Sequence, residues 1–188
     1  MEIDLTKSRT TWPWRVLVAR GLWTYLLEPL VRWLPKICSP LRVSALRLMG
    51  ASIGPECLIL PGVKVLMPWN LRMADHVALG QHVNVYNFSM VSIERMTVLS
   101  QFVHLCTGSH DYTEASMPLV SKPITIGSGC WLAAGVFVAP GVIIPDGAVI
   151  GAMSVVARSP QVKYAVYAGN PCRLIKDRTI RDTITKGP

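Results

Sequence analysis

Of the four histidines in this chain, His110 stands where a base is useful. It lies in Thr107-Gly108-Ser109-His110-Asp111, among small residues and beside an acid. An imidazole titrates near neutral pH and can take a proton from a hydroxyl as a general base. Asp111 is placed to orient it. A backbone carbonyl would do the same, and a loop aspartate also bonds its own backbone as a turn residue. His76, His82 and His104 each adjoin an apolar residue (Val77, Val83, Val103) and are expected to point outward. The five cysteines, Cys38, Cys57, Cys106, Cys130 and Cys172, are far apart, odd in number and without a CxxC pair. That pattern argues against a disulfide framework or a structural zinc site and for reduced cytoplasmic thiols. No metal ligand set is assigned.

The segment holding His110 interrupts a repeat. From Ile124 to Ala157 the aliphatic residues Ile126, Leu132, Val138, Ile144, Ile150 and Val156 recur every six positions. A small residue or proline follows each, and another small or aliphatic residue sits two places ahead. No helix has this period, and a plain half-buried strand alternates every two. The reading is an all-β parallel β-helix, with one apolar side chain per six pointing to the axis and the small residue turning a corner. The repeat starts at Ala51, with Cys57 and Cys130 at core positions. It slips by two residues around Met67–Asn70 and again around Ile93–Met96. Residues 107–123 break the period outright and read as a loop protruding from the coil, where function tends to sit.

Residues 1–11 read as a loose polar tail. An apolar, basic segment follows to residue 50, read as helices over 14–27 and 29–34, broken by Glu28-Pro29, and a third over 41–49 that stops at Gly50. Arg20, Glu28, Pro29 and Arg32 argue against a membrane span there, and no secretory signal is read. The segment either caps the open end of the coil or meets a membrane interface through Trp14, Trp23, Trp33 and the interleaved arginines; different faces can do both. The three regions are thus 1–50, a coil over 51–166, and a tail over 167–188 with a short helix from about Arg173. Net charge is +8 and 51% of residues are hydrophobic. The cations are dispersed or gathered at the two ends, with no nucleic-acid module. An anionic membrane surface or a phosphate-bearing substrate suits that balance better than nucleic acid.

Four stretches together carry a resemblance: the hexapeptide block, LCTGSHDY (Leu105–Tyr112), KPITIG (Lys122–Gly127) and AGNPCRLIK (Ala168–Lys176). With the corner Pro68-Trp69-Asn70-Leu71, they resemble the hexapeptide-repeat acyltransferases, and among them the colanic-acid-type acetyltransferases of exopolysaccharide clusters. The likeness runs over roughly Trp12 to Lys176. It implies a left-handed β-helix, a homotrimer, and O-acetyl transfer from acetyl-CoA to a sugar hydroxyl of an exopolysaccharide or its precursor. No metal is required. Apolar residues expected to face outward, such as Val120, fit a trimer. The expected location is cytoplasmic, at the inner face of the membrane if the acceptor is lipid-linked.

By the same resemblance His110 matches the catalytic histidine. Ala134 matches the backbone donor for the oxyanion. Trp131 matches a tryptophan at the edge of the CoA groove, although packing between subunits is an alternative. Asn84 and Asn87 match the acceptor region; as corner residues of the coil they would be structural. Ala152 matches a backbone position for the pantetheine arm. Arg158 matches the cation of a usual Thr-Lys pair, whose hydroxyl is absent because Ala157 stands there. Arg173 and Lys176 match basic positions near the CoA phosphates. Gly169 and Pro171 are expected to turn the chain at the coil's end. Two other readings share the fold: a γ-type carbonic anhydrase, which needs three zinc-binding histidines, and a non-catalytic scaffold.

Overall fold

The computed structural model describes residues 3–8 and 12–181. Strands of two to four residues wind into a parallel coil with three faces. The first face stacks Ser52–Ile53, Leu71–Met73, Val91–Ile93, Ile124–Ile126 and Ile143–Ile144. The second carries Leu58–Ile59, Ala78–Leu79, Val98–Leu99, Trp131–Leu132, Val149–Ile150 and Ala165–Ala168. The third carries Lys64–Val65, Asn84–Tyr86, His104–Cys106, Phe137–Val138 and Val155–Val156. Register is held rung by rung: Leu79 pairs with Leu99, Leu99 with Leu132, and Leu132 with Ile150.

The core is denser than one inward side chain per six. Val136 and Val138 are both fully buried, as are Val103 and Leu105, and Ile124 and Ile126. Two of every six residues therefore point to the axis, because extended chain returns to the same face every two positions. Each fully buried Ile or Leu contributes about 1.5–3 kcal/mol relative to exposure. The small residue after each strand is required by the next rung. A Cβ on Gly80 would lie 2.7 Å from the backbone nitrogen of Gln101, and one on Gly127 would lie 2.7 Å from that of Asp146. His76 and His82 sit exposed at corners with φ of 56° and 58°. His104 is half-buried on the outer side of the third face, between the edges of Tyr86 and Phe137. All five thiols are unpaired. Cys130 lies in the core, and burial pushes its thiol up to about 11.

The N-terminal helices close the start of the coil. Helix α1 (Trp14–Leu22) passes through a π turn (Trp23–Leu27) directly into α2 (Glu28–Arg32). The expected break at Glu28-Pro29 is absent. A proline lacks an N–H and crowds the carbonyl four residues back. The π turn, in which the Glu28 N–H donates to the Trp23 carbonyl, accommodates it without stopping the helix. Helix α3 (Ser39–Leu48) ends where expected, at Gly50, whose φ is +93°. Trp23 is 2% exposed and its indole donates to the Val65 carbonyl at 2.7 Å. Ser39 Oγ accepts from the Ile59 N–H at 2.8 Å, and the buried Arg42 donates to the carbonyls of Ile59, Leu34 and Pro35.

At the other end the expected C-terminal helix is a strand. Arg173–Asp177 pairs antiparallel with Ala165–Ala168, so that Ala168 faces Arg173 and Val166 faces Lys176. The last rung leaves a row of backbone donors and acceptors without a partner, and only another strand satisfies them. Gly169, at φ +102°, opens the turn between the two strands.

Candidate functional site

The excursion at 107–123 is a β-hairpin. Gly108–His110 pairs antiparallel with Leu119–Ser121, leaving the corner between the third and first faces. Buried Thr107 anchors its base: its hydroxyl donates to the Tyr86 carbonyl and accepts from the Ser89 N–H. The Ser89 and Ser121 hydroxyls meet at 2.6 Å. Gly108 packs closely under Phe88: a Cβ there would lie 2.7 Å from the ring and force it to shift. Residues Ile3–Ser8 lie against the far end, where the Asp4 N–H donates to the Ala115 carbonyl at 3.0 Å. That stretch of the supposed loose tail is therefore docked, a contact with no mark in the sequence.

His110 sits exposed on the hairpin with Nδ1 2.7 Å from the Met117 carbonyl oxygen. A carbonyl oxygen only accepts, so Nδ1 carries the proton and donates. The free lone pair of the neutral ring is then on Nε2. The Asp111 side chain is turned elsewhere: its carboxylate accepts from the Thr113 N–H at 2.9 Å and the Thr113 hydroxyl at 2.6 Å. These bonds hold the Asp111 carboxyl below the usual carboxylate range. The orienting role expected of Asp111 falls instead to the Met117 carbonyl. Met117 has φ of 42°, and only the closed hairpin reveals its position.

Of the two asparagines, Asn84 lies half-buried on the outer side of the third face, in register with His104. Asn87 is fully buried: its Oδ1 accepts from the Met67 N–H, and its amide donates to the carbonyls of Met67 and Asn70. Asn87 therefore clamps the Met67–Asn70 corner, and its amide is not offered to an acceptor. A buried amide must be satisfied internally, and the inserted corner supplies the partners.

The remaining positions lie on the second face, at the corner between the second and third faces, and around the last rung and the outer strand. Trp131 is 47% exposed on the second face, its indole donating to Ser100 Oγ at 2.9 Å. Ser100 lines a trough of ≈ 670 Å³ that includes Leu60, Ala78, Val98, Gln101 and Phe102. Ala134 and Ala152 sit on successive rungs of the corner between the second and third faces, where the Met153 N–H donates to the Ala134 carbonyl at 2.9 Å. The N–H groups of Gln101, Ala134 and Ala152 have no partner among the described residues. They form a ladder of backbone donors at the rung spacing of about 4.8 Å. Arg158 and Arg173 meet in a groove of ≈ 280 Å³ whose lining contains no carboxylate. Lys176 lies outside that groove, exposed on the outer strand. Two guanidinium groups with no competing acid suit a phosphate.

The bacterial transferase hexapeptide (six repeats) family matches residues 123–158. The colanic acid biosynthesis acetyltransferase WcaF of Escherichia coli strain K12 is 41% identical over 157 residues, 84% of this chain and 86% of that protein. A maltose O-acetyltransferase from Clostridium difficile 630 superposes with a TM-score of 0.79 at 24% identity, covering 87% of this chain and 89% of its own. The hexapeptide-repeat acetyltransferase VCA0836 of Vibrio cholerae O1 biovar eltor, complexed with acetyl coenzyme A, gives 0.78 at 20%, covering 88% and 90%. At these identities the two structures establish the fold, a left-handed β-helix. The WcaF match establishes kinship over most of both chains: this protein belongs to the hexapeptide-repeat acetyltransferases.

Proposed function

We propose that this enzyme transfers an acetyl group from acetyl-CoA to a sugar hydroxyl of an exopolysaccharide or its precursor, with His110 as general base. The observation that carries the reading is the bond from His110 Nδ1 to the Met117 carbonyl, which in the neutral ring places the lone pair on Nε2, on an exposed hairpin. Nε2 takes the acceptor hydroxyl proton as that oxygen attacks the thioester carbonyl carbon. The tetrahedral oxyanion is held by a backbone donor, the Ala134 N–H. Collapse breaks the C–S bond, and the proton passes from Nε2 to the departing thiolate. No covalent enzyme intermediate and no metal take part.

CoA fits along the edge that carries Trp131 and the donor ladder, with its phosphates toward Arg158 and Arg173 and Lys176 nearby on the outer strand. Asn84, on the face beside the hairpin's base, contacts the acceptor. The site is completed by a second copy of the chain in a homotrimer. About 20 Å of extended chain, six residues at 3.3 Å, separates the Ala134 corner from the corner that launches the hairpin. The base must lie within about 3 Å of the acceptor hydroxyl, and the oxyanion donor within about 3 Å of the oxygen of the carbonyl which that hydroxyl attacks, a closer approach than one chain provides. Kinship to WcaF, named for colanic acid biosynthesis, supports an exopolysaccharide acceptor. The test is acetyl transfer from acetyl-CoA to a panel of sugars and lipid-linked oligosaccharides. His110→Ala is expected to lower kcat by about 10²–10⁴ with the fold intact. Unchanged transfer by that variant would remove His110 from the mechanism.

A further inference from the structure

The helices α1 and α2 have two unlike sides. One packs on the coil through Trp23, Glu28 and Val31. The other carries Trp14, Val18, Leu22, Leu26 and Leu30 at steps of four, each 45–69% exposed. In an α-helix such a row drifts by about 40° per step and soon leaves its face. The π turn at Trp23–Leu27 holds extra residues per turn and takes that drift back. The result is one apolar stripe from Trp14 to Trp33, 19 steps along the helix or about 29 Å at 1.5 Å per residue. Trp14 and Trp33 mark its two ends, and both remain exposed. The turn that lets the helix pass Pro29 also keeps this stripe straight.

Charge identifies the occupant. Between residues 12 and 50 the only acid is Glu28, which is buried, whereas Arg15 and Lys36 are exposed and Arg20 partly so. Arg15 lies 5.7 Å from the Trp14 ring and Arg32 lies 4.9 Å from the Trp33 ring. The stripe therefore has cations beside its apolar residues, and residues 12–50 offer it no exposed carboxylate. A second copy of this chain, itself at +8, is a poor electrostatic match. Among the described residues no helix is long and apolar enough to cross a membrane. We infer that the outer side of α1–α2 lies on an anionic lipid surface, with its apolar stripe in the headgroup–acyl boundary and its cations on the lipid phosphates. The coil-facing side closes the β-helix at the same time. The assignment is independent of the acetyl-transfer reading, because its readout is binding to lipid.

The test is co-sedimentation of the full chain with vesicles of phosphatidylcholine, with and without phosphatidylglycerol. Binding is expected with the anionic vesicles, weakening as salt rises. Tyr25 of the π turn, 85% exposed, adjoins Leu26 of the stripe, and Tyr25→Asp with Leu30→Asp is expected to lower binding at least about tenfold, with melting midpoint and oligomeric mass unchanged. Arg15→Glu with Lys36→Glu, on exposed residues outside the core, is expected to weaken binding to anionic vesicles by a similar factor. Failure of the unaltered protein to bind anionic vesicles overturns the inference. So does a fall in oligomeric mass for the Tyr25/Leu30 variant, which would assign the stripe to a neighbouring copy.

Discussion

The unbroken coils and the hairpin that interrupts them position side chains by different means. In the coil every rung is held by the rungs before and after it. Leu132 is fully buried, pairs with Leu99 and Ile150, and has no freedom to choose its face. In the hairpin His110 has one pairing partner, Leu119, and one side-chain bond, to Met117. The coil thus stores stability and offers fixed backbone groups such as the Ala134 N–H. The hairpin offers a side chain that, as the proposed base, would take up and release a proton within one turnover. A rigid wall and a lightly held imidazole are suited to different tasks, and changes in the two should have different signatures.

Changes within the coil are expected to strike stability hardest. Leu132→Ala removes a fully buried side chain and is expected to cost about 2–5 kcal/mol, read as a lowered denaturation midpoint. A loss as small as a surface substitution gives would show that the coil repacks freely and that the contrast is overstated. Next are the two cations of the C-terminal groove. Arg158→Glu with Arg173→Glu is expected to raise the KM for acetyl-CoA by about tenfold or more, with kcat and melting midpoint little changed. An unchanged KM would move the phosphates elsewhere.

His104 tests the coil's outer side by pH. Burial holds its imidazole below the usual value of 6.5, and its Nε2 is buried without a partner. A base with a depressed folded pKa favours the native state above the unfolded pKa. That contribution falls as pH drops through 6.5 toward the folded value. His104→Phe is therefore expected to flatten the fall of the melting midpoint below pH 6.5, by about a degree or two. Identical pH profiles would show that His104 is not strained by its burial. Asp111→Asn is expected to have the smallest effect, with activity changed by less than about threefold, because Asn can still accept from Thr113. A large drop in kcat would return Asp111 to the base.

Regularity decided what was legible beforehand. The inward positions followed from period and hydrophobicity, because each rung repeats the environment of the last. Only their number was undercounted, since the residue two places before each inward aliphatic residue, such as Val136 before Val138, also points inward. The helical cap was half legible. Its apolar residues and its stop at Gly50 show in the sequence, but Glu28-Pro29 reads as a break. Continuity across it depends on a π turn whose inner side is anchored by Trp23 to Val65, 42 residues away. Asn87 was ambiguous for a similar reason: an exposed corner amide and a buried one look alike until its partners at Met67 and Asn70 are in place.

The amino-acid sequence by itself determined the coil, its corners and the place where it breaks, because these rest on local alternation and on small residues that the next rung cannot displace. Tertiary structure alone decided which group holds His110, that Arg158 and Arg173 share a groove, and that Arg173–Asp177 is a strand. Each of those outcomes is set by a partner supplied by another part of the fold: a carbonyl across the hairpin, a cation across a turn, an unpaired edge at the last rung. Hydrogen bonds and charge pairs act only at contact distance, so their assignment waits on the folded chain.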